Sequence, residues 1–219
     1  MSYTVVVGLA SLLIISSLVV VLIRSLQHTA IAYGVQSLIL VGCFFALSQV
    51  TGSSELVTWS GTAFLTKVIL VPAIVLFALK KMGNPKNTTK PLVNPVLAVI
   101  LAVVELAVCY AVVFFSGMTV GILDDAAIPV LAISLAHFFI GLTCIASQRN
   151  IVKQIFGYCL MENGSHLTLA LLASSAPALV EIGIATDAIF AVIIMAVLVC
   201  RIKKTTGSLN SDELMELKG

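Results

Sequence analysis

Almost the whole chain falls into uninterrupted apolar runs of about 20 residues, the length a helix needs to cross a bilayer. Seven such runs are readable: Thr4–Ile23, Ala30–Val50, Leu56–Leu79, Asn94–Ser116, Asp124–Ala146, Lys153–Ser174 and Ala178–Cys200. Each is continuously apolar, with none of the alternation of a barrel strand, and is about twice a barrel strand's length. The breaks carry turn chemistry: "QVTGSSE", "KKMGNPKNTTKP", "SGMTVGILDD" and "ASSAP". Only 10% of the 219 residues are charged, against roughly 25% in a soluble domain. The expectation is an all-α polytopic membrane protein with seven transmembrane helices and no separate soluble domain. The first run does not read as a signal peptide, because "MSYTVVVGLA" has no basic leader and no clear cleavage site follows.

Charge sets the expected orientation. Of twelve Lys and Arg residues, eleven fall in alternate segments: Arg24; Lys80, Lys81, Lys86 and Lys90; Arg149 and Lys153; Arg201, Lys203, Lys204 and Lys218. The opposite loops hold none and carry Glu55, Asp124, Asp125 and, near the outer end of the last helix, Glu181. The positive-inside rule places the N-terminus outside and the C-terminus in the cytoplasm. The net charge of +2 is thus an orientation signal and points to no nucleic-acid partner. The five cysteines lie in or beside the runs without a C-x-x-C spacing, so they read as small packing residues and not as metal or cluster ligands.

The twelfth cation, Lys67, sits in no loop. It lies near the middle of the third run, as Glu105 does in the fourth, His137 in the fifth, Glu162 in the sixth and Asp187 in the seventh. Gln36 adds a polar group in the second run, and Ser16 and Ser17 in the first. Four charged groups facing lipid would cost on the order of 10–14 kcal/mol. They must face one another, a partner, or internal water. Lys67 can neutralise only one of the three acids, and which one is open. The surplus acids suit proton carriage, and buried pairs that only hold helices together are the competing reading. Tyr158, Glu162 and His166 are spaced four residues apart, with Ser165 a turn beyond Glu162, so the sixth helix is expected to gather them on one side. Gly164 permits a close helix approach. Pro72 cannot donate to the carbonyl of Val68, which predicts a kink beside Lys67.

A faint repeat is also present. "LVTWSGTAFLTKVILVPAIVLFALKK" (56–81) and "LVEIGIATDAIFAVIIMAVLVCRIKK" (179–204) match in length, opening and ending. Two parallel three-helix units need an odd number of helices between them. The expected organisation is a first unit over 1–81, a cytoplasmic loop and linking helix over 82–122, a second unit over 123–204, and a cytoplasmic tail over 205–219.

The segments "SQRNIVKQIFGYCLMENGSHL", "VEIGIATDAIFAVI", "SGTAFLTKVILVP" and "SLNSDELMELKG" resemble the hydrogenase-4 component E family, and the resemblance covers essentially the whole chain. The last three helices resemble, more distantly, the K subunit of respiratory complex I and the C subunit of Mrp-type antiporters. That pattern is Arg-Asn, six residues, then Gly-x-Glu-x-Met-x-Asn. Here Arg149 and Asn150 are followed by Gly157, Met161 and Asn163, but Cys159 holds the acid's position and Glu162 lies three residues later. The K subunit's second acid corresponds to Asp187, and Gln36 takes the acid's place in the first unit. The resemblance implies a non-redox subunit of a complex I-like hydrogenase or formate hydrogenlyase in a bacterial cytoplasmic (inner) membrane. Implied partners are antiporter-like membrane subunits, a quinone-site-like membrane subunit and a soluble hydrogenase arm, which would hold the nickel–iron and iron–sulfur centres. No cofactor is expected in this chain.

The candidate proton-conducting residues are therefore Lys67, Glu105, His137, Glu162, His166 and Asp187, with Gln36, Tyr158 and Ser165 in support. A subunit of a cation/proton antiporter complex and a passive membrane-arm scaffold are the alternatives. The charge split yields a direct prediction. A reporter that works only in the cytoplasm should be active when fused after Lys218 and inactive near Asp124; activity at Asp124 would overturn the orientation.

Overall fold

The structure, a computed structural model, describes residues 2–87, 89–115 and 124–214. Lys218 and residues 116–123, where the sequence predicts a turn, lie outside the described residues. The described chain is helical: α1 (Tyr3–Leu22), α2 (Leu26–Thr51), α3 (Ser54–Ala63), a π-helical stretch (Phe64–Leu70), α4 (Val71–Lys81), α5 (Pro95–Phe115), a 3₁₀ turn (Asp125–Ala127), α6 (Ile128–Ser147), α7 (Ile151–Leu172), α8 (Ala178–Thr206) and a short α9 (Ser211–Leu214). The α3, π and α4 pieces make one 28-residue span. The apolar runs anticipated these helices to within a few residues at most ends. The largest difference is at α8, which continues to Thr206 and stops where Gly207 turns left-handed at φ 74°.

Among the described residues six helices are long and apolar enough to cross a membrane: α1, α2, the composite third helix, α5, α6 with its leading turn, and α8. The chain is accordingly a multi-pass membrane protein. The remaining long helix, α7, has 22 residues but carries Lys153, Gln154, Glu162, Asn163 and His166, so it has the length without the apolarity. It is the most enclosed helix, packed along α6 and touching α1, α2 and α8. Its polar groups thus face protein and not lipid.

The α6–α7 seam is unusually close. A Cβ on Gly141 would stand 2.2 Å from the backbone nitrogen of Met161, and one on Gly164 would stand 2.5 Å from that of Phe138. Only hydrogen fits there, as the expected close approach at Gly164 requires. The Pro72 kink takes a definite form. The helix widens to π geometry over Phe64–Leu70, and Val71 N–H reaches back five residues to the Thr66 carbonyl. One inserted residue of this kind changes which side chain faces inward, and Lys67 is the buried residue of the stretch.

Two apolar clusters fill the bundle. One is built around Phe44, Trp59, Leu13, Leu40, Ala63 and Leu167, the other around Tyr33, Phe156, Val20, Val71, Leu160 and Val192. The polar side chains lie in the layer between them: Ser17 between Leu13 and Val20, Gln36 between Tyr33 and Leu40, Lys67 between Ala63 and Val71, and Glu162 between Leu160 and Leu167. Helices of this sort can place a polar layer at one depth only if their packing is rigid, and the glycine seam supplies that. Gly141→Ala should therefore destabilise the detergent-solubilised chain by roughly 1–3 kcal/mol, the usual penalty of overpacking, read as a lower thermal unfolding midpoint. Gly183→Ala, whose Cβ would meet nothing within 4 Å, should leave the midpoint unchanged or slightly raised. Equal behaviour of the two variants would contradict the seam.

Candidate functional site

At the core of the polar layer Lys67 Nζ donates to Glu162 Oε1 at 2.6 Å, so Glu162 is the acid that Lys67 neutralises. The same oxygen is 3.1 Å from His166 Nε2, one turn along α7. The other ring nitrogen, His166 Nδ1, is 3.6 Å from Glu181 Oε2 on α8. Three helices thus clasp four titratable groups, with side-chain exposures of 2% for Lys67 and His166, 12% for Glu162 and 1% for Glu181. Neither ring nitrogen of His166 completes a well-aligned hydrogen bond, so the ring is close to both acids without being locked to either.

Glu181 overturns the expectation that it is a solvated residue at the outer end of the last helix. It lies in the first turn of α8, yet it is 1% exposed. Packing against α3 encloses it, and Ser53 Oγ donates to the Ser174 carbonyl to tie the α2–α3 and α7–α8 turns together. A signal for this was present in the sequence. Glu181 shares one face with Ala185, Ala188, Val192, Ala196 and Val199, all buried, and a stripe of small residues at helical spacing marks a packed face. Asp187 is six residues from Glu181, about 120° around the helix.

Asp187 is accordingly exposed on the outside of the bundle. No contact between Asp187 and Glu162 is among the hydrogen bonds and ion pairs of the described residues. Tyr158, half-buried, lies within electrostatic range of both Glu162 and Asp187. Ser165 is exposed and bonds back to the Met161 carbonyl at 3.3 Å, so it points away from the face that Glu162 and His166 share. Glu105 stands apart at the α5–α6 contact, where Thr143 donates to one oxygen and the other is buried without a partner.

His137 belongs to a neighbouring, uncharged network. Its Nδ1 is 2.8 Å from Ser17 Oγ, and Ser17 Oγ in turn donates to the Leu13 carbonyl. Its Nε2 is 3.2 Å from Gln36 Nε2. Asn163 Nδ2 donates to Gln36 Oε1 at 2.9 Å and to Ser37 Oγ at 3.3 Å. With the amides so placed, Gln36 donates to Nε2, and His137 is the neutral tautomer carrying its proton on Nδ1. Asn163 adjoins Glu162, and the buried Tyr33 hydroxyl lies beside Glu162, Cys159, Ser37 and Asn163 without a well-aligned bond. The belt read from the sequence is therefore one charged cluster (Lys67, Glu162, His166, Glu181) adjoining one neutral network (Ser17, His137, Gln36, Asn163, Ser37). Ser37 and Tyr33 escaped the sequence reading, and Asn163 entered it only as a match to the K-subunit pattern, because isolated hydroxyls and amides are common in helices.

The charge count decides what the cluster can do. With Lys67 cationic and both carboxylates ionised, the cluster is net negative unless one more proton sits on His166 or Glu181. A buried net charge is strongly disfavoured. The arrangement can therefore hold one proton between an imidazole and a carboxylate that face each other.

A family model described as NADH-ubiquinone/plastoquinone oxidoreductase chain 4L matches residues 129–219. The hydrogenase-4 component E proteins of Escherichia coli (strain K12) and Shigella flexneri are each 47% identical over 215 residues, 97% of this chain and 96% of theirs. An uncharacterized protein of Mycobacterium tuberculosis is 24% identical over 152 residues, 69% of this chain and 68% of that one. No solved structure matches the chain.

Proposed function

The chain belongs to the hydrogenase-4 component E family, and we propose that within a complex I-like membrane hydrogenase it carries protons through the Lys67–Glu162–His166–Glu181 cluster. It is a membrane subunit of such a complex, with the nickel–iron and iron–sulfur centres assigned to partner subunits and antiporter-like and quinone-site-like membrane subunits as neighbours. In this reading α7 is the seventh span, enclosed by the others, and the chain lies in the bacterial inner membrane with its Lys- and Arg-rich ends in the cytoplasm. The two three-helix units then run parallel, with α5 linking them.

The observation that carries the proposal is the surplus acid. One lysine faces two carboxylates across a histidine that is bonded firmly to neither. A purely structural pair needs only Lys67 and Glu162. Glu181 and His166 add a proton site, and they extend the cluster from the middle of α7 toward the turns that Ser53 and Ser174 join. The neutral Ser17–His137–Gln36–Asn163 network gives a continuation on the other side, toward α1 and α6. Asp187, on the outer face, is placed to meet a partner subunit and not to serve this relay.

Proton uptake into membrane vesicles, measured against hydrogen turnover in the assembled complex, tests the reading. Glu162→Gln and Glu181→Gln preserve shape and hydrogen bonding but cannot exchange a proton. Glu181→Gln should assemble fully and Glu162→Gln at reduced yield, because Lys67 loses its direct counter-charge. Per assembled complex, each should lose translocation by roughly tenfold or more, as removal of a proton-transfer group does. Asp187→Asn should pump nearly as the parent does. If all three variants pump normally, the cluster is structural and the passive-scaffold reading takes its place. Transport by the chain expressed alone would favour the antiporter reading.

A further inference from the structure

Between α4 and α8 lies an open groove of about 510 Å³. Its floor is made by small residues, Ala78 and Ala196, and its walls by Ile74, Phe77, Ile193 and Val197. Phe77 is 70% exposed and Val197 56%, so the walls stand open along the bundle's side. One end is different in kind. Lys81, Arg201 and Lys204 converge there, and among the described residues none of the three forms an ion pair. The groove is therefore apolar along its length and triply cationic at its mouth.

We propose that this groove is a binding site for an anionic phospholipid, with one acyl chain laid along the walls and the phosphate held by Lys81, Arg201 and Lys204. The gradient matches a lipid in both halves. An acyl chain shields the exposed aromatic and branched side chains, and a headgroup phosphate supplies a countercharge that none of the described residues gives these three cations. The two helices make the site because they run side by side in the same direction and end together, so their terminal cations meet at one depth. The arrangement is a basic pocket between membrane helices at the interface, where phosphate headgroups lie. Arg201 can engage a phosphate through two parallel N–H donors, and the lysines act as point charges beside it. A zwitterionic lipid brings its own cation and gains less. The inference concerns a face remote from the Glu162 cluster and does not depend on the proton-transfer reading.

The full chain, purified and delipidated in detergent, is offered phosphatidylglycerol or phosphatidylethanolamine with identical acyl chains, and retained lipid is counted by native mass spectrometry. The wild-type chain should retain the anionic lipid with about a tenfold or greater preference. A Lys81→Gln/Arg201→Gln/Lys204→Gln variant should lose the preference, while Lys81→Arg/Arg201→Lys/Lys204→Arg keeps it. Val197→Trp, which fills the groove and leaves the cations in place, should lower retention of both lipids. Removing three other cations in Arg24→Gln/Lys86→Gln/Lys90→Gln should leave the preference intact. Equal retention of the two lipids by the wild type overturns the proposal, as does an undiminished preference in the first variant or an equal loss in the Arg24 variant. So does a photo-crosslinker at Val197 that, in the assembled complex, attaches to a protein subunit and not to lipid.

Discussion

The buried ion pair between Lys67 and Glu162 is the interaction around which the bundle is arranged. An ammonium and a carboxylate 2.6 Å apart and almost out of water are tolerable only together. Removing one partner of such a pair typically costs about 3–5 kcal/mol, because the other is left as an uncompensated charge. The pair therefore fixes the third helix against α7 at one register, and the widened turn over Phe64–Leu70 is what directs the lysine to the meeting point. A regular helix through Pro72 has no donor for the Val68 carbonyl. The π stretch ends just before that break and carries Lys67 into the bundle.

The rest of the polar layer follows from this anchor. Glu162 fixes the depth of Asn163 and His166 on α7, and these set where Gln36 and Glu181 must lie to meet them. The layer is bounded by apolar clusters on both sides, which keep water out and give every polar contact more weight than it would have at a surface. Close packing of α6 on α7 at Gly141 and Gly164 brings His137 and Asn163 to opposite ends of Gln36. The charged and neutral halves are thus one packing solution, and in the proposed relay the moving element is a proton exchanged between His166 and Glu181.

Much of this was legible in the residues themselves. Apolar runs marked the helices, Pro72 marked the distortion, Gly164 marked the seam, and the depth of Lys67, Gln36, His137 and Glu162 marked the layer. Depth along a helix is read from sequence by counting, but azimuth is not, because it depends on which neighbour each face meets. For that reason Asp187 was read as facing inward when it is exposed, and Glu181 as solvated when it is buried. Ser165 failed in the same way. Glu105 has an appropriate depth but belongs to the α5–α6 contact, on a different side of the bundle. Partner identity was equally beyond periodicity, since any of the three acids Glu105, Glu162 and Asp187 satisfies the same charge count for Lys67.

The central claim is that the cluster holds one exchangeable proton between His166 and Glu181. Infrared difference spectroscopy on the complex in membranes reads this directly through the carboxylic acid C=O stretch, with turnover started by adding the electron donor. The account predicts a band from a buried protonated carboxyl that rises or fades as turnover proceeds and is lost in Glu181→Gln. A spectrum with no such band, or one whose band persists unchanged in Glu181→Gln, would contradict it.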